Sequence, residues 1–143
     1  MFIGEYLHTI DHKGRVAIPA KFRPRLAGGC VVTRGLDSSL VIYPKEEWEI
    51  LAKKLAKLPL SKPDARAFAR LMLAGAMDVE LDKQGRIIIP NYLKEYGNLT
   101  NSIIIAGLYD RMEIWDQDAW EDYRAQASEK SSQISEDLGE LNI

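Results

Sequence analysis

The sequence predicts an α+β protein that contains two tandem copies of one β unit, flanked by helices and arranged as an internal pseudo-dimer. The segment "DHKGRVAIP" at positions 11–19 returns as "DKQGRIIIP" at positions 82–90. The segment "GLDSSLVIYPKEEWE" at positions 35–49 likewise aligns with "GLYDRMEIWDQDAWE" at positions 107–121. Two copies are too few for a solenoid, which needs about three or more repeats. The pattern therefore favours two similar units that share one core.

The bulk composition fits a globular protein with no membrane partner. The chain has 143 residues, of which 46% are apolar, and this suits one compact unit or two small ones. No apolar run approaches the roughly 20 residues that span a bilayer. The first residues, "MFIGE", lack the basic and apolar regions of a secretory signal. We expect a cytoplasmic protein.

Residue types that carry catalysis or bind metals are scarce. The single cysteine, Cys30, excludes an internal disulfide and a multi-cysteine metal site, and its apolar neighbours predict a core position. The two histidines, His8 and His12, show no ligand spacing, and the glycines form no phosphate loop. His8 is expected to be a half-buried structural residue of a strand. We expect no catalytic residue, metal, cofactor or small-molecule substrate.

The charge is unevenly distributed along the chain. The net charge is −2, but residues 1–25 carry five cations against two acids, and residues 110–143 carry ten acids against three cations. Binding responds to the local potential rather than to the total charge. The N-terminal region is therefore compatible with a basic face that binds nucleic acid.

Each unit is expected to begin with a hairpin. Apolar and polar residues alternate at positions 6–10 and 77–81, which predicts half-buried strands. Asp followed three residues later by Gly is typical of a type I turn, which becomes a bulged hairpin when the Gly is left-handed. The strands at 15–18 and 86–89 should return along the first strands until a proline ends each of them.

The remainder of each unit is expected to contain a short helix, two strands and a longer helix. Short helices are predicted at 20–26 and 91–96, and the following strands at 30–33, 40–43, 102–106 and 112–115.

Apolar residues spaced three and four apart predict an amphipathic helix over residues 46–58 and a second helix over 64–73. The last helix should open at Asp116 or Asp118. The resulting division is a first repeat with its helix at 1–58, a connecting helix within 59–74, a second repeat with its helix at 75–130, and an acidic tail at 131–143. We expect the tail to be frayed or disordered.

The arginine after each turn is the residue that hairpin geometry does not require. Asp and Gly are ordinary turn residues, here Asp11 with Gly14 and Asp82 with Gly85. One interpretation is that the arginine only forms an exposed ion pair with the aspartate, which contributes little to stability. The other is that the aspartate orients backbone amides and holds the arginine in one rotamer.

A pre-oriented guanidinium suits phosphate oxygens or guanine O6 and N7, and a β-ribbon can enter the major groove of DNA. Lysine and histidine side chains on the turns supply further donors. On this interpretation the DNA-binding residues are Lys13, Arg15, Lys83, Arg86 and His12.

The two Asp-x-x-Gly-Arg elements, the start "MFIGEY" and the paired "GL" to "WE" segments resemble the MraZ family over nearly the whole chain. The resemblance implies two tandem swapped-hairpin (AbrB-like) units that form one intrachain pseudo-twofold β-barrel. It implies a nucleoid-associated transcriptional regulator that binds short direct repeats of double-stranded DNA upstream of the division and cell-wall genes. It also implies a ring homo-oligomer, with eight subunits favoured. Because Gln84 stands where the first copy has Lys13, the first turn is expected to dominate.

Three alternatives remain open. The middle helices, which carry Phe68, Leu71, Met72 and Leu73, are either contact surfaces between subunits or only cover the barrel. The protein is either a DNA-binding regulator or a protein-binding scaffold or antidote of the same fold with incidental DNA affinity. An enzyme would have to use Asp11 and Asp82 as acid and base, although both already have a role in a turn.

Overall fold

Strands dominate the first part of each repeat, and helices follow them. The computed structural model describes residues 1–141. Within this range the strands are β1 (Phe2–Thr9), β2 (Arg15–Ala17), β3 (Cys30–Arg34), β4 (Leu40–Pro44), β5 (Met77–Val79), β6 (Arg86–Ile88), β7 (Ser102–Tyr109) and β8 (Met112–Asp116).

The helices lie between and after these strands. The α-helices of the described range are α1 (Lys45–Ala56), α2 (Pro63–Ala69), α3 (Asn91–Tyr96), α4 (Gln117–Glu129) and α5 (Ser131–Asp137). The described range also contains 3-10 helices at Ala20–Leu26 and Gly139–Leu141 and a π-helical turn at Arg70–Ala74. Among residues 1–141, no helix is both long and apolar enough to span a lipid bilayer.

The main sheet is shared by the two repeats. Its six antiparallel strands lie in the order β1-β7-β8-β4-β3-β5. The first strand of each repeat pairs with a strand of the other repeat, since β1 pairs with β7 and β5 pairs with β3. Exchanging the two repeats leaves the strand order unchanged. The prediction of an α+β fold with two similar units is therefore confirmed.

The predicted pairing of each return strand with its own first strand is wrong. Strand β2 pairs with β6 of the other repeat and forms a separate two-stranded ribbon. In the described part of the first repeat, a single β-bridge, between Ile10 and Val16, joins the first strand to the return strand next to the turn. Val16 and Ile87 are fully buried. Val16 of one repeat and Ile87 of the other enter the same core, which is consistent with the pairing of the two return strands.

Both repeats contribute to one hydrophobic core. The prediction that Cys30 is a core residue is confirmed, and burial raises the pKa of its thiol to about 12. The core residues are Phe2, Ile10, Val16, Ile18, Phe22, Leu26, Cys30, Val32, Leu40, Ile42, Ile87, Ile89, Leu93, Leu99, Ile103, Ile105, Met112 and Ile114.

Helix α4 begins as predicted. The carboxylate of Asp116 accepts a hydrogen bond from the backbone amide of Ala119 at 3.5 Å and so caps the helix. The aromatic rings of Trp120 and Tyr123 pack on Trp115, with centroid separations of 5.3 Å and 4.9 Å. This aromatic contact packs α4 against Trp115 near the end of β8.

The acidic tail is not irregular where the structure describes it. Residues 131–137 form α5, and Gln133 donates a side-chain hydrogen bond to Asp137 one turn later, at 2.9 Å. Such i,i+4 contacts stabilise a short helix, whereas the polar composition had suggested disorder. Residues 142 and 143 of the predicted tail lie outside the described residues.

The two faces of the ribbon differ in burial, which provides a matched pair of variants. Ile87 is 0% exposed and Ile88 is 59% exposed. We expect Ile87→Ala to lower the free energy of unfolding by about 2–5 kcal/mol, because it leaves a cavity in the core. The control Ile88→Ala should change it by less than about 0.5 kcal/mol. Urea denaturation followed by circular dichroism measures both values, and equal losses would contradict this assignment of faces.

Candidate nucleic-acid interface

The first turn is closed by backbone hydrogen bonds. The amide of Gly14 donates to the carbonyl of Asp11 at 2.9 Å, and the amide of Asp11 donates to the carbonyl of Arg15 at 3.1 Å. Gly14 has a φ of +81°, and a Cβ there would lie 2.6 Å from the carbonyl oxygen of Ile89. Glycine is therefore required both by the left-handed backbone and by the close approach of the other repeat.

The carboxylate of Asp11 organises this turn. Its Oδ1 accepts hydrogen bonds from the backbone amides of Lys13 and Arg15, both at 2.9 Å. Its Oδ2 accepts from Nε of Arg15 at 2.6 Å. One side chain thus holds the backbone and orients the guanidinium.

The second turn repeats the same set of bonds. Oδ1 of Asp82 accepts from the amides of Gln84 at 2.8 Å and Arg86 at 2.9 Å, and Oδ2 accepts from Nε of Arg86 at 2.9 Å. Gly85 has a φ of +75°. The sequence offered two interpretations of the arginine, an exposed ion pair or an oriented donor. In both turns, the same contacts form the ion pair and orient the guanidinium.

Each turn is bonded to the opposite repeat. The amide of Ile18 donates to the carbonyl of Gly85 at 2.9 Å, and the amide of Ile89 donates to the carbonyl of Gly14 at 2.7 Å. These reciprocal bonds continue the ribbon beyond its three paired residues, and they fix the two turns relative to each other.

The register of the ribbon places both arginines on one face. Arg15 lies opposite Ile88, and Ala17 lies opposite Arg86. Side chains alternate between the faces of a strand, so these four residues share one side, which we call the ribbon face. In this geometry the two arginines are diagonal neighbours, about 7–8 Å apart at their backbones.

Both guanidinium groups keep N–H donors available for a ligand. The side chains of Arg15 and Arg86 are 29% and 30% exposed. Within residues 1–141, each guanidinium uses only Nε in an internal hydrogen bond. An arginine has five N–H donors, so four remain for a ligand at each site. The ribbon face therefore offers two oriented donor forks suited to phosphate or to a base edge.

The aspartates stay ionised in this arrangement. The backbone amide of Arg15, together with its side chain and the amide of Lys13, lowers the pKa of Asp11 to about 2. The pKa of Asp82 is also lowered, chiefly by the backbone amide of Arg86. The carboxylates therefore remain acceptors at neutral pH.

The other predicted DNA-binding residues lie at the tips of the turns. His12 and Lys13 are exposed on the first turn, and Lys83 and Gln84 are exposed on the second. His8 is half-buried in β1, and its pKa is lowered by burial and by the nearby charge of Arg23. The structure thus brings the predicted residues together at two adjacent turns.

Two residues near the turns had no signal in the repeat pattern. Ile88 is an exposed apolar side chain on the ribbon face, where the first repeat has Ala17. Arg23 packs against the second turn although it belongs to the first repeat. Among residues 1–141, no group of three or more His, Cys, Asp or Glu side chains could hold a metal ion.

The fold and the site define a class: a two-repeat α+β protein that presents a pair of aspartate-held arginines on one ribbon. A family model described as "MraZ protein, putative antitoxin-like" matches residues 1–71 and again residues 72–140. The chain belongs to the MraZ family.

Several full-length relatives carry the name "Transcriptional regulator MraZ". The chain is 50% identical to the one from Thermoanaerobacter pseudethanolicus, 49% identical to that from Oenococcus oeni and 47% identical to that from Natranaerobius thermophilus. Each alignment covers 143 residues, which is 100% of this chain and 100% of the relative. The similarity therefore extends over the turns, the core and the C-terminal helices.

The contact of the Asp11 carboxylate with Arg15 can be tested by titration of Asp11. We expect the carboxyl carbon of Asp11 to titrate in NMR with a midpoint near pH 2, below its ordinary value of 3.8. A depressed pKa in the folded state means that the contribution of this carboxylate to stability is present above pH 3.8 and is lost as the pH falls towards 2. A midpoint for Asp11 at its ordinary value of 3.8 would contradict this contact.

Proposed function

We propose that this protein is a transcriptional regulator that binds double-stranded DNA with the ribbon face and its two turns. The observation that supports this most is the pair of aspartate-held guanidinium groups, Arg15 and Arg86, on one outward face. The names of the relatives agree with regulation of transcription. No catalytic step is part of the proposal.

The chemistry of binding follows from the donors. A two-stranded ribbon fits the major groove, which is about 12 Å wide, and an arginine fork matches guanine O6 and N7. Lys13, Lys83 and His12 lie where they would donate to backbone phosphates. Such contacts release counterions, so the affinity should fall steeply with salt.

The acidic total charge does not oppose this function. Ten of the acids lie in residues 110–143, on β8, α4, α5 and the segments around them. The turn tips carry Lys13 and Lys83 beside the two arginines. Local potential governs the encounter with DNA, so the ribbon can attract phosphate although the chain is acidic.

We also propose that the two repeats form a swapped-hairpin barrel of the AbrB-like kind. The exchange of β1 and β5 between repeats supports this description. In the same proposal the repeats act as domains at 1–58 and 75–130, joined through 59–74. A DNA-bound regulator would be cytoplasmic and nucleoid-associated.

A ring of identical subunits, with eight favoured, would compensate for the small size of one site. Its targets would be short direct repeats in the promoter of the division and cell-wall gene cluster. Several ribbons on tandem repeats raise avidity by roughly 10²–10⁴ without a new contact.

The proposed subunit interface is supported by three exposed apolar side chains on adjoining helical turns. Phe68, Leu71 and Leu73 are 39%, 45% and 36% exposed. Met72, in contrast, is only 7% exposed and is therefore not part of this exposed surface.

A protein-binding scaffold or antidote is the second candidate, and the words "antitoxin-like" in the family description favour it. The salt dependence of retention on duplex DNA separates the two functions. Contact with phosphates gives a negative log–log slope of several units, whereas a scaffold gives a slope near zero.

The site assignment can be tested by removing one arginine at a time. We expect Arg15→Ala or Arg86→Ala to weaken binding to DNA from upstream of the protein's own gene by about 1–3 kcal/mol per engaged site. The control is Arg111→Ala, an arginine whose carboxylate partner is Asp110 and which lies outside the turns. Fluorescence anisotropy measures the affinities. Unchanged affinity for either turn variant would show that the assignment is wrong.

The subunit interface can be tested with one charge. We expect Leu71→Glu to convert the parent oligomer to smaller species in native mass spectrometry, because it places a carboxylate in an apolar contact. The control is Leu60→Glu, since Leu60 is 79% exposed and lies outside the proposed surface. A monomeric parent, or an oligomer that Leu71→Glu leaves intact, would contradict the proposal.

A further inference from the structure

Arg23 lies against the second turn. It follows Phe22 in the 3-10 helix of the first repeat, and its Nε donates to the carbonyl of Ile18 at 2.8 Å. A Cβ at Gly85 would overlap the guanidinium of Arg23. The guanidinium therefore packs directly on the backbone of the Asp82 turn.

The charge of Arg23 is not neutralised by a neighbour. Among residues 1–141, no carboxylate lies within ion-pairing distance of its guanidinium. The side chain is partly exposed, and Nε is occupied by a backbone carbonyl. The other four donors of the guanidinium make no hydrogen bond in the part of the chain that the structure describes.

At the first turn, backbone atoms of Ile89 lie where Arg23 lies at the second turn. Arg23 follows Pro19 by four residues, and Lys94 follows Pro90 by the same spacing in the second repeat. Lys94 lines a shallow cleft with Asn91, Glu95 and Asn98. The three atoms nearest to a Cβ at Gly14 all belong to the backbone of Ile89.

The two turns therefore differ in formal charge. The first turn has Lys13 and Arg15 against Asp11, which is two cations against one acid. The second has Lys83, Arg86 and the adjoining Arg23 against Asp82, which is three cations against one acid. Lys83 already offsets the loss of a lysine at Gln84, so Arg23 gives the second turn one cation more than the first.

We propose that Arg23 is a further DNA-contacting residue, which donates to a backbone phosphate beside the site of Arg86 and makes the second turn the more strongly binding half of the interface. This inference rests on the proposed function. It reverses the expectation, drawn from Lys13 and Gln84, that the first turn dominates. Because Arg23 is bonded to Ile18, outside the paired residues of the ribbon, we assign it a phosphate rather than a base edge.

The test compares Arg23→Gln with its matched control, Lys94→Gln. The probes are a duplex from upstream of the protein's own gene and a mixed-sequence duplex of equal length. We expect Arg23→Gln to weaken binding to both duplexes by about tenfold or more. It should also make the log–log salt slope less steep by about one unit. We expect Lys94→Gln to change both affinities by less than about twofold, because Lys94 lines the cleft of Asn91, Glu95 and Asn98 and does not pack on the glycine of a turn as Arg23 does. Equal losses in the two variants would overturn the proposal.

A second comparison separates contact with DNA from support of the turn. In an Arg86→Gln background, Arg23→Gln should still lower the affinity, because its guanidinium binds phosphate itself. A loss that vanishes in this background would show that Arg23 acts only through Arg86, and the proposal would fall. Arg23→Lys keeps the charge and should keep the parent's salt slope; a slope reduced as in Arg23→Gln would also overturn it.

Failure of this inference can be told from failure of the proposed function. If Arg15→Ala loses affinity and Arg23→Gln does not, the role of Arg23 alone is wrong. If the parent shows no salt-dependent binding and Arg15→Ala binds like the parent, the DNA-binding function is wrong, and the inference is wrong with it. Thermal melting of each variant confirms that losses of affinity are measured on folded protein.

Discussion

The antiparallel pairing of β2 with β6 is the constraint on which the site depends. The strands are only three residues long, and their faces alternate, so Val16 and Ile87 can enter the core only if Arg15 and Arg86 point outward. A slip of one residue would bury the arginines and expose the apolar pair. The bonds between each turn and the opposite repeat hold this register, which ties the position of both guanidinium groups to the stability of the core.

The aspartate in each turn serves orientation more than stability. An exposed ion pair contributes little to folding, but Asp11 also accepts two backbone amides and leaves most of the guanidinium donors of Arg15 unused. Ordering a long side chain normally costs free energy at the moment of binding. In this arrangement the cost is met during folding, so a small ribbon can recognise phosphate or a base edge with few contacts. The same logic applies to Arg23, which packs on Gly85 before any ligand arrives.

Local signals in the sequence predicted the parts of the fold that depend on neighbouring residues. Aspartate and glycine at fixed spacing predicted the turns, alternation predicted the strands, and the repeat predicted two similar units. The partner of β2 could not be predicted, because a turn motif indicates where the chain reverses and not which strand it meets. The helical tail was missed because composition does not report contacts such as that between Gln133 and Asp137. Arg23 was counted only as one of the N-terminal cations, since its contact with Gly85 crosses from one repeat to the other.

In the proposed complex, both aspartate-held arginines face DNA together. The most direct measurement is a cryo-EM structure of the protein bound to duplex DNA from upstream of its own gene, at a resolution that shows guanidinium groups. We expect Arg15 and Arg86 both to lie within hydrogen-bonding distance of DNA, with their Nε atoms still bonded to Asp11 and Asp82. A complex in which DNA contacts another surface and leaves the ribbon face in solvent would contradict it.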